Sequence, residues 1–247
     1  MHTDVDQIAD GIYRFSTLIP EVAPGGFSFN QFLIDAEEPL LYHTGMRSIF
    51  PLVRGAIEQV MPIERLRWIA FSHIEADECG AANELLEAAP QATVMHGGLG
   101  CLLSLNDQLD REPRPLQDGE VIDLGGRRVM EIATPHVPHN WESHMLYEQV
   151  TGTLFCGDLL TQIGEGPAIT TASIRDAAIA AEQMFMQTSM GPAVPATYRR
   201  LADLQPQRLA IMHGSSYEGD CAAVLREMAD VYEQQFGCAP ALAAAKA

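Results

Sequence analysis

Short apolar runs, each closed by a turn signal, recur along the chain and predict strands at residues 11–15, 30–34, 39–42, 67–71, 92–95, 127–132, 145–147, 153–156 and 209–212. Between them, apolar positions at helical spacing predict helices over residues 50–60, 80–89, 97–105, 173–190, 196–203 and 220–235. Gly125-Gly126 and Thr151-Gly152 each separate two strand-like runs and read as hairpin turns. Hairpins with interposed helices suggest layered, largely antiparallel sheets rather than a purely parallel doubly wound sheet.

Composition narrows this picture. At 247 residues and 47% apolar content the chain is long enough for one substantial core, so a single domain over 1–247 is expected, with the Ala-rich stretch 239–247 as a frayed tail. The formal charge of −18, from 33 acidic and 15 basic residues, argues against nucleic acid and anionic membranes as partners. The first ten residues lack the basic and apolar regions of a secretory leader, and no run approaches the length of a membrane span, which together point to a cytoplasmic protein. Five cysteines without a close pair fit reduced thiols, with Cys79 and Cys156 placed beside acidic candidates.

Chemistry concentrates where the strands end. Residues 69–80 read I-A-F-S-H-I-E-A-D-E-C-G, an apolar run opening into His73, Glu75, Asp77 and Glu78. A water-facing acidic loop is the ordinary explanation for one such cluster. Here the event repeats: E-I-A-T-P-H-V-P-H carries His136 and His139, T-L-F-C-G-D ends at Asp158, and L-A-I-M-H-G ends at His213. Imidazoles and carboxylates at the mouths of several strands are a donor set for metal ions.

The series resembles the metallo-β-lactamase superfamily, whose αββα sandwich carries H-x-[HE]-x-D, a His after a T-P turn, a G-D and a late H-G. The match runs from N-Q-F-L-I-D near residue 30 to M-H-G at 212–214. Glu75 at the second motif position is similar to the flavodiiron proteins and the related ODP-type oxygen-binding diiron proteins. P-H-V-P-H-N-W-E-S and M-H-G-S-S-Y-E-G-D look especially like the ODP-type branch. The resemblance implies one metal on His73, Glu75 and His139, another on Asp77 and His213, and Asp158 bridging. His139 is preferred over His136 because family versions place a Ser four residues after that ligand, as Ser143 is here; His136 then becomes a hydrogen-bond partner or wall residue. Glu78 stands where the family usually has His, and is expected either to bind the second metal or to leave it open.

A carboxylate-rich set favours iron, with manganese and zinc as alternatives. The implied function is a non-haem diiron protein that binds, senses or reduces O2 or NO. The chain has no room for a flavodoxin domain and no phosphate loop for FMN, so turnover needs an external electron donor, and sensing would call for a signalling partner. The competing expectation is a dinuclear hydrolase of an ester, thioester, phosphodiester or lactam. A third, a metal-structured interaction module, would show no ligand exchange. A homo-oligomer is expected. His43 and His144 read chiefly as structural, His96 as a helix-start residue or a support beside the site, Trp141, Tyr147 and Tyr217 as packing with lining or capping the pocket as the alternative, and His2 as solvent-exposed.

Overall fold

Alternation along the strands sorts apolar side chains into three layers. The computed structural model describes residues 1–238, and in it two seven-stranded sheets lie face to face. The first contains β1 (Thr3–Ala9), β2 (Ile12–Ile19), β3 (Phe27–Ile34), β4 (Leu40–Tyr42), β5 (Trp68–Ala70), β6 (Thr93–Gly97) and β7 (Arg114–Leu116) in chain order. The second contains β8 (Val121–Asp123), β9 (Arg128–Ala133), β10 (His144–Glu148), β11 (Thr153–Phe155), β12 (Ile169–Thr170), β13 (Arg208–Ala210) and β14 (Ser216–Glu218), in the order β12-β14-β13-β11-β10-β9-β8. Both predicted hairpins form, Asp123 pairing with Arg128 and Glu148 with Thr153. Pairing is antiparallel at the start of the first sheet and parallel from β4 to β7 and between β11 and β13.

Inward residues such as Ile12, Phe32, Trp68, Leu146 and Phe155 fill the space between the sheets. Outward residues of the first sheet, among them Phe15, Leu33 and Ile69, pack under α1 (Phe50–Val60), which lies ahead of the single turn α2 (Ala76–Cys79), and α3 (Ala82–Ala88). A second helical run follows β6, made of α4 (Gly98–Gly100), a π-helical turn (Cys101–Leu105) and α5 (Asn106–Gln108). Outward residues of the second sheet, including Leu154 and Leu209, pack under α6 (Arg175–Phe185), α7 (Ala193–Asp203) and α8 (Cys221–Cys238). The order helix, sheet, sheet, helix is the αββα sandwich expected from the motif series.

All nine predicted strands form. Missed were β1, β7, β12 and β14, all short or strongly polar, and β8 was expected only as the first arm of the Gly125-Gly126 hairpin. The helix expected over 173–190 stops at Phe185, because Met186 turns left-handed at φ 50° and the Glu182 carboxylate then accepts from the Thr188 N–H and hydroxyl. That early stop sends residues 187–189 back toward the strand ends. The expected frayed tail, 239–247, lies outside the described residues. Among the described residues no helix is long and apolar enough to cross a membrane.

Candidate metal centre

The strands β5, β11 and β13 end at Ala70, Phe155 and Ala210, and His73, Asp158 and His213 each stand three positions further on. Asn30 of β3 ties the two sheets at this end, its side-chain amide donating to the Ile211 and Gly214 carbonyls. Gly157 is needed at the close approach: its φ is 51°, and a Cβ there would fall 2.5 Å from Ser72 Oγ. His139 comes from the 134–143 loop, closed by hydrogen bonds from the Ser143 and Thr134 hydroxyls to the Val137 carbonyl.

The predicted residues converge. His139 Nε2 lies 3.1 Å from Glu75 Oε1 and 3.7 Å from Asp158 Oδ2, and His73 Nε2 lies 3.7 Å from Glu75 Oε2 and 3.6 Å from Asp158 Oδ2. On the other side, His213 Nε2 is 3.1 Å from Asp158 Oδ1 and 3.5 Å from Asp77 Oδ2. Asp158 therefore presents one oxygen to a His73, Glu75, His139 group and the other to an Asp77, His213 group. With the imidazoles neutral, His73 Nε2 and Asp158 Oδ1 are buried without a hydrogen-bond partner. Buried polar atoms are normally satisfied, so these two are suited to an ion.

Each of the three imidazoles is held from behind. His139 Nδ1 meets the Gln187 carbonyl at 2.8 Å, and His213 Nδ1 meets the Ser28 carbonyl at 2.8 Å. A carbonyl only accepts, so Nδ1 carries the proton in both and the neutral ring turns an Nε2 lone pair to the centre. His73 Nδ1 meets Ser72 Oγ at 3.0 Å, and because that hydroxyl donates onward to Glu78 the ring nitrogen carries the proton here too, with the Glu78 carboxylate 3.2 Å away. Partners of this kind fix the tautomer and orientation of metal-binding histidines.

Glu78 is fully buried, and its carboxylate accepts from the His73 N–H at 2.8 Å and from the Ser72 hydroxyl. His73, Glu75 and His139 each place one donor atom within 4.8 Å of the others, as do His73, Glu78 and Asp158. In the second set Glu78 and Asp158 flank His73 at opposite ring nitrogens, so the first is the better pocket for a single ion. His136 is exposed, outside the centre, and its backbone N–H bonds to the Asn140 carbonyl; it is neither wall nor hydrogen-bond partner to the donor set. Cys79 Sγ donates to the Glu75 carbonyl, whereas Cys156 belongs to the core under α7 and α8.

Of the remaining histidines, His43 is buried with Nδ1 2.7 Å from Met212 Sδ. His144 is buried with Nδ1 2.5 Å from Glu131 and its ring against His96. Trp141 is 55% exposed, and Tyr217 packs in the core. Three supporting residues escape sequence reading. Ser28 and Gln187 are remote in sequence from the motifs, and Gln187 also donates from its side chain to the Asp158 carbonyl at 2.9 Å. Glu142 accepts from the Ile74 N–H at 3.1 Å; its place in N-W-E-S, beside Ser143, was the available signal.

Four carboxylates around three imidazoles make the centre strongly negative. Burial alone would lower His73, but Glu78, Glu75 and Asp158 outweigh it and raise it to about 10. His139 and His213 are likewise raised against burial, chiefly by hydrogen bonds to Glu75 and Asp158. Hydrogen bonds from His139 and His73 hold Glu75 down at about 2, while burial lifts Asp77 and pushes Glu78 up to about 8. Asp158 is lowered despite burial by the His213 hydrogen bond and the three surrounding imidazoles. The common meaning is a demand for positive charge, which protons meet in the absence of metal and which cations can meet in their place.

The sequence model of a family described as ODP family beta lactamase matches residues 27–214. "Putative diflavin flavoprotein A 2" of Synechocystis sp. is 28% identical over 138 residues, covering 54% of this chain and 23% of that protein. Among solved structures, the metal-soaked Flv1 flavodiiron core from Synechocystis sp. PCC6803 superposes with a TM-score of 0.81 at 20% identity, covering 96% of this chain and 61% of that one. Rubredoxin oxygen:oxidoreductase from Desulfovibrio gigas gives 0.77 at 18%, covering 92% and 62%. These likenesses establish the shared fold, and the chain spans only part of the length of the relatives it matches.

Proposed function

The chain belongs to the ODP family of beta-lactamase-fold proteins, and from that premise we propose that it holds two iron ions at its strand ends and uses them to bind or reduce O2 or a similar diatomic. The observation that carries the reading is Asp158, whose two oxygens face separate donor groups, His73, Glu75 and His139 on one side and Asp77 and His213 on the other. Two histidines and one carboxylate on one ion form the donor set of non-haem iron sites with open positions. Three carboxylates in the whole set favour a hard metal over zinc, which nitrogen-rich sites serve better. The names of the similar proteins, a flavodiiron core and an oxygen:oxidoreductase, support the same metal and oxidant.

Iron held there would supply the electron transfer to the diatomic. The chain's own residues set the conditions. Glu78, Gln187 and Ser28 fix the three imidazoles through Nδ1, so the Nε2 atoms are aimed before an ion arrives and little reorganisation accompanies binding. Asp158 would be shared by the two positions, offering Oδ2 to one and Oδ1 to the other. Glu78 stands behind His73 and, ionised once cations occupy the centre, would add a negative charge that favours the more oxidised metal. Full reduction of O2 consumes electrons and protons from outside the centre, so turnover calls for an electron-donor protein; binding and sensing do not.

The test is metal analysis of protein from iron-replete medium, followed by anaerobic reduction and addition of O2 under an optical spectrometer. Iron approaching two per chain and a new near-ultraviolet or visible charge-transfer band are expected. A zinc form that turns over esters, thioesters, phosphodiesters or lactams efficiently, beside an iron form indifferent to O2, would replace this reading with the hydrolase.

A further inference from the structure

Arg14 lies on the face of β2 that looks into the space between the sheets, in line with Ile12, Ser16 and Leu18. It is 3% exposed, and its recorded contacts are neutral: one terminal nitrogen donates to the Pro167 carbonyl at 3.2 Å and the other to Ser16 Oγ at 2.9 Å. Its Nε is buried without an acceptor. Among the described residues no carboxylate comes within ion-pair distance; burial lowers the guanidinium below the ordinary arginine value, and Asp6 and Asp4 offset this only by longer-range attraction. A buried cation short of both a counter-ion and an acceptor is costly unless something else provides them.

The same guanidinium lines a cavity of about 370 Å³, the size range of small-ligand pockets. Its buried part is Arg14, Ser16 and Ser28, and its exposed rim carries Asp4, Glu21 and Glu165. Asp4 is paired with His2, and among the described residues the Glu21 and Glu165 carboxylates on the rim form no ion pair. A positive floor under a negative rim repels multiply charged anions and is complementary to a molecule with a carboxylate at one end and an ammonium at the other.

We propose that this cavity binds a small zwitterion of the amino-acid class, its carboxylate on Arg14 and Ser16 and its ammonium toward Glu21 and Glu165. The occupant would lie against Ser28, whose hydroxyl accepts from the Gly214 N–H at 2.7 Å and whose carbonyl orients His213. Binding itself needs no metal, so this inference stands or falls apart from the iron reading.

Calorimetric titration of the full chain with L-leucine, L-glutamine and L-arginine tests it, with 4-methylpentanoate and 3-methylbutylamine as the leucine analogues lacking the ammonium and the carboxylate. Saturable binding of at least one amino acid at one per chain is expected, with both leucine analogues at least about tenfold weaker than leucine if leucine is the one bound, and analogues truncated the same way serving for another. Arg14→Gln should abolish binding. The double variant Glu21→Gln, Glu165→Gln alters only exposed side chains and should lose the preference for the amino acid over its deaminated analogue, which keeps the test decisive even if Arg14→Gln fails to fold. No binding by any amino acid at millimolar concentration, equal binding of the amino acid and its deaminated analogue, or binding indifferent to both variants would overturn the proposal.

Discussion

Replacing Glu78 by Gln separates a carboxylate that binds metal from one that aims a ligand. The wild-type carboxylate is fully buried, receives the Ser72 hydroxyl and the His73 backbone N–H, and lies 3.2 Å from His73 Nδ1, which the same hydroxyl bridges. Gln keeps the volume but offers one acceptor oxygen and brings an NH2 toward donors, so at least one buried donor loses its partner. An unsatisfied buried donor costs about 1–3 kcal/mol, which for a chain of this length lowers Tm by about 2–12 °C. The weakened hold on His73 should reduce metal affinity about 10–100-fold, the usual effect of removing an orienting partner, or about 1.4–2.8 kcal/mol. The metal count at saturation should not change. Competition against a chromophoric chelator gives the affinity, and elemental analysis of the saturated protein gives the count. Loss of one ion at saturation would make Glu78 a ligand and refute the reasoning; unchanged affinity and Tm would show that its hydrogen bonds carry no weight.

Asp158→Ala should lower occupancy at both positions, whereas His136→Ala, at an exposed site, should leave the metal count and Tm within error; metal loss in the latter and retention in His139→Ala would exchange the two histidines. In chelator-treated protein Tm should fall as pH rises from about 5 to about 9. The sign follows because His73, raised to about 10, gives stability that is complete below its unfolded value of about 6.5 and lost toward its folded one, and Glu78, raised to about 8, becomes increasingly unfavourable as it is forced to ionise. A flat or rising profile would contradict the assigned surroundings of both groups. Gly157→Ala should destabilise the protein by about 1–3 kcal/mol through its left-handed φ and contact with Ser72, read as a Tm loss in thermal melts; a neutral effect would mean that the Ser72 and Asp158 loops have room to part.

How far this could be read from the chain depends on distance along it. The strand-end rhythm was legible because a buried strand must be apolar and the first polar residues beyond it are exposed to the same space, so His73, Asp158 and His213 announce themselves within two residues of an apolar run. Choosing His139 over His136 rested on the four-residue step to Ser143, and the hydroxyl of that serine does close the loop that turns His139 inward. Gln187 was hidden by the helical pattern of 173–190, which runs on past the point where Glu182 caps the chain and reverses it. Ser28 acts through its backbone carbonyl, and carbonyls have no sequence signature. Strand β1 was lost because T-D-V-D-Q-I-A looks like a polar terminus; its pairing with β2 supplies order that its composition does not advertise.

The break between the sheets at residues 117–120 divides the donors as well as the strands. His73, Glu75 and Asp77 precede it; His139, Asp158 and His213 follow it, and each donor group takes members from both halves. The halves share the layer between the sheets and, beneath the first sheet's helices, a core that Met212, Ile163 and Phe185 join from the second half. A metal ion at either group would thus act as a staple across a seam, in the way a disulfide joins distant segments, tightening a junction that the shared apolar layer already holds.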